Sequence, residues 1–347
     1  MLLSIFGIVM IRSAIAGNEV LAEHVNRQII FVSIGLVVII GTALINYHFW
    51  ASLSRTMYVI TVGFLMVIYI YGQARFGSAR WLDTGLILIQ PSELAKIVLI
   101  LVLANHFASA QDEVHDLRWI GRSLLLTGGI VVWIVLQPNL STSIVLLVLW
   151  FTLLWLSGLQ PKYLIAFGII GLLGAAAAFP FLEDYQQLRV INFLFPDPNA
   201  RHGNAYNVEQ ALITIGSGGW FGQGYGHGTQ VQLRFLKVRH NDFIFSAMAE
   251  EFGFLGTLLV VAVIAFVIYR CIRVGNTASD MYGSLIAYGF AVLIFFQGAV
   301  NIAVNLNLIP VTGLTLPFIS YGGSSLLSLV LGIGLVESVA AHRKIPT

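Results

Sequence analysis

An all-α integral membrane protein of about ten transmembrane helices, with a long ordered extracytoplasmic loop between spans 7 and 8, is the fold class this sequence predicts. Three observations carry that expectation. Of the 347 residues, 58% are hydrophobic and 10% charged, against about 45–50% apolar and about 25% charged in soluble domains. Apolar runs of roughly 17–25 residues, enough to cross a bilayer as a helix, recur along the chain. One segment, 183–242, interrupts them and is rich in glycine and aromatic side chains. So few charges cannot clothe a solvated surface, which excludes a soluble enzyme, a nucleic-acid binder and a disordered protein. The formal net charge of +2 argues for no polyanionic partner. Cys271 stands alone, without metal spacing or an internal disulfide partner.

The apolar runs lie near 1–14, 28–46, 55–72, 91–108, 122–136, 142–158, 162–182, 243–270, 282–304 and 319–341. Helices are expected, because backbone groups in lipid must be paired within the segment and the runs are too uniformly apolar for barrel strands. The first run starts at Met1 with no charged flank, and no small-residue cleavage site follows Arg12, so it reads as a first span. An even number of spans puts both termini on one side. With the termini in the cytoplasm, Arg55, Arg118, Arg122, Lys162, Arg270, Arg273, Arg343 and Lys344 fall inside, against Arg12, Arg27, Arg75, Arg80 and Lys96 outside. That excess sets the termini inside and 183–242 outside. Tyr185, Phe193, Phe195, Tyr206, Trp220, Phe221, Tyr225 and Phe235 argue that this outer segment is ordered. With no internal repeat, an inverted-repeat transporter gains no support, and residues 1–347 read as a single polytopic membrane domain.

Several polar constellations interrupt the apolar background. In Gln90-Pro91-Ser92-Glu93-Leu94-Ala95-Lys96, Pro91 suits a first helical turn, and Glu93 and Lys96 share one face. Two readings stand: an ion pair that snorkels to the interface, or a site pair with Lys96 open to an anionic ligand. Gly77-Ser78-Ala79-Arg80-Trp81-Leu82-Asp83 sets a cation beside an interfacial aromatic. Gln137-Pro138-Asn139-Leu140-Ser141-Thr142 reads first as a helix cap. The run Gly216–Gly228 matches neither a dinucleotide fingerprint nor a P-loop; its glycines make turns or place amides against an anion. Asp242 precedes the eighth span as an N-cap, unless Asn241 takes that role and frees the carboxylate as a general base. Glu250 and Glu251 lie deeper and need partners or protons. Gln297, Asn301 and Asn305 line one face and by default hydrogen-bond a neighbouring helix. Two prolines and a Gly-Gly pair in Pro310–Ser325 break the approach to the tenth span, which lipid tolerates only against protein or water. No metalloprotease or serine-hydrolase motif occurs.

Taken in order, Gly77–Asp83, Gln90–Lys96, Gln137–Thr142, Tyr185–Arg189, Ile215–Phe245 and Pro310–Ser325 resemble the signatures of the SEDS family, the shape, elongation, division and sporulation proteins. The likeness covers nearly the whole chain, and His227–Phe245 is nearer to the elongation branch than to the division branch. One position departs: the family usually carries Asp where this chain has Asn139, which puts any role of a charge there in doubt. The resemblance implies a peptidoglycan glycosyltransferase of the bacterial cytoplasmic membrane that polymerises lipid II at the outer face during cell elongation. Its essential aspartate maps onto Asp242. Its partners would be lipid II, a class B penicillin-binding protein transpeptidase and other elongation-complex membrane proteins, with no nucleic acid.

Physical chemistry assigns roles within that frame. A sugar hydroxyl stays protonated near neutrality, so attack on an anomeric carbon needs a base in reach; Asp242 is the candidate. The leaving diphosphate needs fixed positive charge. Lys96, Arg80 and Arg189 are candidates for it, with the glycine-rich amides or a divalent cation as further sources. Glu93 would hold Lys96, and Ser324 joins the substrate-binding candidates. A β-1,4 bond made from an α-linked diphosphate implies one inversion, and a diphosphate leaves without a second carboxylate as acid. The rival is a lipid II flippase without bond chemistry, although transporters place their sites nearer the midplane. A scaffold that only recruits the transpeptidase is the third.

Overall fold

The computed structural model describes residues 1–17, 21–76, 82–83, 88–109, 117–195, 204–236 and 239–343. All ten expected runs are helical. Among the described residues eight helices are long and apolar enough to cross a membrane, and two shorter apolar ones, Leu2–Ala14 and Leu140–Leu156, occupy the first and sixth positions. In chain order they are α1 (Leu2–Ala14), α2 (Glu23–Leu44), α3 (Tyr47–Phe76), α4 (Pro91–Ser109), α5 (Leu117–Leu136), α6 (Leu140–Leu156), α7 (Pro161–Ala178), α11 (Ile244–Thr277), α12 (Met281–Asn305) and α13 (Gly323–Ala341). The outer segment supplies α8 (Asp184–Leu194), α9 (Asn204–Gly218) and the single turn α10 (Thr229–Gln232). A two-residue antiparallel pair, β1 (Leu82–Asp83) with β2 (Leu88–Ile89), precedes α4.

The packing divides into two compact units. One comprises Ile34–Leu172, Val267–Ile294 and Gly323–Thr347. Its centre is α4, buried over most of its length and packed against α3, α5, α6 and α13. Pro91 opens α4 where its missing N–H is no loss. Asn139 caps α6 by accepting from Thr142 N at 3.3 Å, as the Gln-Pro-Asn pattern predicts.

The other unit comprises Met1–Ser33, Leu173–Phe266 and Phe295–Gly322. Here the glycine-rich run is laced onto a break in α11. Gly253 has φ 68° and ψ −169°, a conformation essentially reserved for glycine. Gln223 N and Gly224 N donate to the carbonyls of Glu250 and Glu251 at 2.9 and 3.0 Å. In return Phe254 N and Leu255 N donate to Gly219 O and Trp220 O at 2.9 and 3.1 Å. The glycines therefore act as close-approach and turn residues. Glu250 and Glu251 find the partners they need elsewhere: the Glu250 carboxylate accepts from Gln230 N at 2.8 Å and Val231 N at 3.1 Å in α10, while Ser13 of α1 donates to Glu251. A Cβ on Gly253 would stand 2.3 Å from Gly222 N. Gly253→Ala is expected to cost at least about 1–3 kcal/mol from the backbone alone, read as a lower melting temperature of the purified protein in detergent.

Candidate active site

Asp242 sits in the turn between α10 and α11, one residue before a core formed by Val208, Ala211, Leu236, Phe243 and Val304. Its main chain is clamped from several directions. Asn301 Nδ2 donates to Asp242 O at 3.0 Å and to Leu314 O at 2.8 Å. Asn305 Nδ2 donates to Asp242 O at 2.9 Å, and its Oδ1 accepts from Ser246 Oγ at 2.6 Å. Ser320 Oγ donates to Asn241 O at 2.8 Å, and Tyr321 N to His240 O at 3.0 Å. Gly313 takes a left-handed φ of 80° beside the carboxylate, the position of its absent Cβ lying 4.0 Å from Asp242 Oδ2.

Among the described residues the Asp242 side chain makes no capping hydrogen bond to α11, and the Asn241 Oδ1 is buried without a partner. Burial raises the Asp242 pKa from 3.8 to about 6, against the opposing pull of the Arg189 guanidinium. Arg189 reaches this turn from α8, where Glu183 and Gln186 form a capping box. Its Nη1 donates to Val311 O at 3.2 Å and its guanidinium lies 5.5 Å from the centre of the Tyr185 ring. Its Nε is buried without a partner among the described residues. A carboxylate poised near neutrality beside an under-committed guanidinium can take a proton and hold an anion in one place.

Glu93 and Lys96 form a second cluster, in the unit built on α4. Lys96 Nζ pairs with Glu93 Oε2 at 2.8 Å, and Ser328 Oγ lies 3.4 Å from the same oxygen. Lys96 is 0% exposed and Glu93 6%, so the snorkelling interpretation is corrected: the pair is buried on α4, the helix that packs against α3, α5, α6 and α13. Ser324 Oγ accepts from Gln90 N at 3.0 Å, tying the start of α13 to the start of α4. The structure thus brings Asp242 to Arg189, and Glu93 to Lys96; Arg80 lies outside the described residues. The interhelical bonding expected of this face holds for Asn305, whose Oδ1 accepts from Ser246 of α11, and Asn301 and Asn305 in addition hold the Asp242 backbone. Their spacing put them on one face, but only the fold shows which segment that face meets. Among the described residues no three His, Cys, Asp or Glu side chains stand together as metal ligands.

A family model described as cell cycle protein, covering FtsW, RodA and SpoVE, matches residues 1–345. The chain belongs to this family, the SEDS proteins. It is 36% identical over 322 residues to the peptidoglycan glycosyltransferase MrdB of Escherichia coli K12, covering 92% of this chain and 86% of that one. Among solved structures it is similar to a chain from a peptidoglycan synthase complex described as coordinating polymerization and crosslinking. That match has a TM-score of 0.81 at 29% identity, over 98% of this chain and 95% of that one. The rod shape determining protein RodA of Thermus thermophilus matches with a TM-score of 0.72 at 29% identity, over 99% and 95%. This SEDS chain is therefore an all-helical, multi-span membrane protein.

Proposed function

We propose that this chain, a SEDS peptidoglycan glycosyltransferase, polymerises lipid II into glycan strands at the outer face of the cytoplasmic membrane and serves cell elongation. The observation that carries the mechanism is Asp242, partly buried, with its pKa pushed up to about 6 and its backbone clamped by Asn301 and Asn305. The acceptor's 4-hydroxyl oxygen attacks the anomeric carbon of the donor glycan as its proton passes to the Asp242 carboxylate. The bond from that carbon to the diphosphate breaks with its electron pair, leaving undecaprenyl diphosphate and an inverted β-linkage. Arg189, beside Asp242, opposes the negative charge that develops on the departing group. The excess of basic residues in the short inner connections supports an outward-facing site and cytoplasmic termini. Likeness to a chain from a synthase complex supports a class B transpeptidase as partner.

The deciding experiment places fluorescent lipid II in the outer leaflet of liposomes that hold the purified chain, with and without a transpeptidase. Polymer is the expected product; rapid translocation without polymer would instead make the protein a flippase. The rate should also depend on pH. Asp242 works as a base only when ionised, so kcat/KM is expected to rise through about pH 6 and to fall about tenfold per unit below it. Initial rates between pH 5 and 8 check this, and a flat profile removes Asp242 as the base.

A further inference from the structure

Immediately before Asp242, three rings from separate segments meet. His24, in the first turn of α2, has its ring centre 4.4 Å from that of Tyr321 and 5.6 Å from that of His240. His240 and Tyr321 are 6.0 Å apart. None of the three is fully buried. The Tyr321 N–H donates to His240 O, fixing two of the rings to one another. Arg27 lies one residue short of a full turn beyond His24, hydrogen-bonds the Tyr321 side chain, and keeps 44% of its own side chain exposed. Gln28 is wholly buried; its Oε1 accepts from Gly322 N at 3.5 Å, and its Nε2 has no partner among the described residues.

These groups present donors. Burial, with the charges of His24 and Arg239 nearby, lowers the His240 pKa to about 4, so its imidazole is neutral and offers one N–H. Burial raises the Tyr321 pKa, so its hydroxyl keeps its proton. Arg239 adds positive field, while its Nε and Nη1 donate to Ala14 O and Leu236 O. The carboxylate beside these rings is Glu23, which is 74% exposed and paired with Arg27, and Asp242 follows His240 two residues on. A cationic, donor-rich cluster of this kind suits an oxygen-rich anion. Its place in the opening turn of a membrane-spanning helix sets it at headgroup depth, where the diphosphate of a lipid carrier lies.

We propose that His24, Arg27, Gln28 and Tyr321 form a subsite for the diphosphate of a polyprenyl-linked substrate, adjoining Asp242. The assignment rests on the glycosyltransferase reading for the identity of the lipid. The purified full chain is placed in phosphatidylcholine nanodiscs, and binding is measured for a polyprenyl diphosphate, the matched polyprenyl alcohol and inorganic diphosphate. The wild type is expected to prefer the lipid diphosphate over both. Arg27→Ala should weaken that binding about tenfold or more, and Tyr321→Phe several-fold, with lipid II polymerisation losing in KM before kcat. Should Arg27→Ala fail to fold, Arg27→Lys and Tyr321→Phe decide. Binding unchanged in the folded variants overturns the subsite. Arg27-dependent binding of inorganic diphosphate with no gain from the lipid overturns the lipid assignment. Arg27-dependent lipid binding in a wild type that makes no polymer upholds the subsite and removes the polymerase. Polymer formation with an unchanged KM in Arg27→Ala does the reverse.

Discussion

Asp242→Asn is expected to reduce glycan polymerisation by about 10²–10⁴-fold, the range that a positioned general base contributes, while the protein folds normally. The amide has the carboxylate's shape, and the Asn301 and Asn305 clamps grip the Asp242 main chain, which the substitution leaves alone. Stability should move the opposite way from activity. Because the folded pKa lies near 6, above the ordinary 3.8, folding favours the protonated carboxyl. That contribution is fully present below about pH 3.8 and is lost as the pH rises through about 6. At neutral pH the ionised, desolvated carboxylate is a burden that the amide lacks, so the variant should melt no lower than wild type. Gel analysis of lipid II products, beside a melting curve of the same preparation, checks both halves. Polymer at the wild-type rate would send the search for the base elsewhere.

Lys96→Ala is expected to destabilise the protein by about 3–5 kcal/mol, the usual consequence of stripping one member from a buried ion pair. The loss arises because Glu93, 6% exposed, would keep a charge with, among the described residues, only the Ser328 hydroxyl bonded to it. The double variant Glu93→Gln/Lys96→Met removes both charges at similar volume and should recover most of that stability. This pair of variants separates packing from chemistry. A double variant that melts like wild type and still polymerises lipid II makes the ion pair a fastening within its unit, holding α4 to α13. One that melts like wild type and makes no polymer restores Lys96 as a substrate contact. A Lys96→Ala protein as stable as wild type would contradict its burial.

Asn139 shows how a local signal survives in the fold. The Gln-Pro-Asn-Leu pattern predicts a cap, and the Asn139 side chain supplies one without any charge. A family aspartate at this position can therefore be exchanged for asparagine without loss of the cap bond, since both side chains offer the same acceptor. The polar opening of α2 shows the opposite case. Glu23, His24 and Arg27 precede the apolar run that marks the second span, so hydropathy starts that span several residues late. The helix includes them, and with them the ring cluster beside Asp242.

Composition and apolar run length determined on their own that the chain is a helical membrane protein, because an unpaired backbone in lipid leaves few alternatives. They placed all ten helices and marked 183–242, which supplies α8, α9 and α10, as the break between spans, and the motifs in sequence order pointed to the family and to Asp242. Tertiary structure alone decided what surrounds that carboxylate. Asn301, Asn305, Arg189 and Tyr321 come from distant parts of the chain, and helical periodicity gives the face a side chain occupies but not the segment it meets. The same holds for Lys96. Spacing paired it with Glu93, but whether the pair stands in water or in the core depends on packing by α3, α5, α6 and α13, which no local pattern encodes.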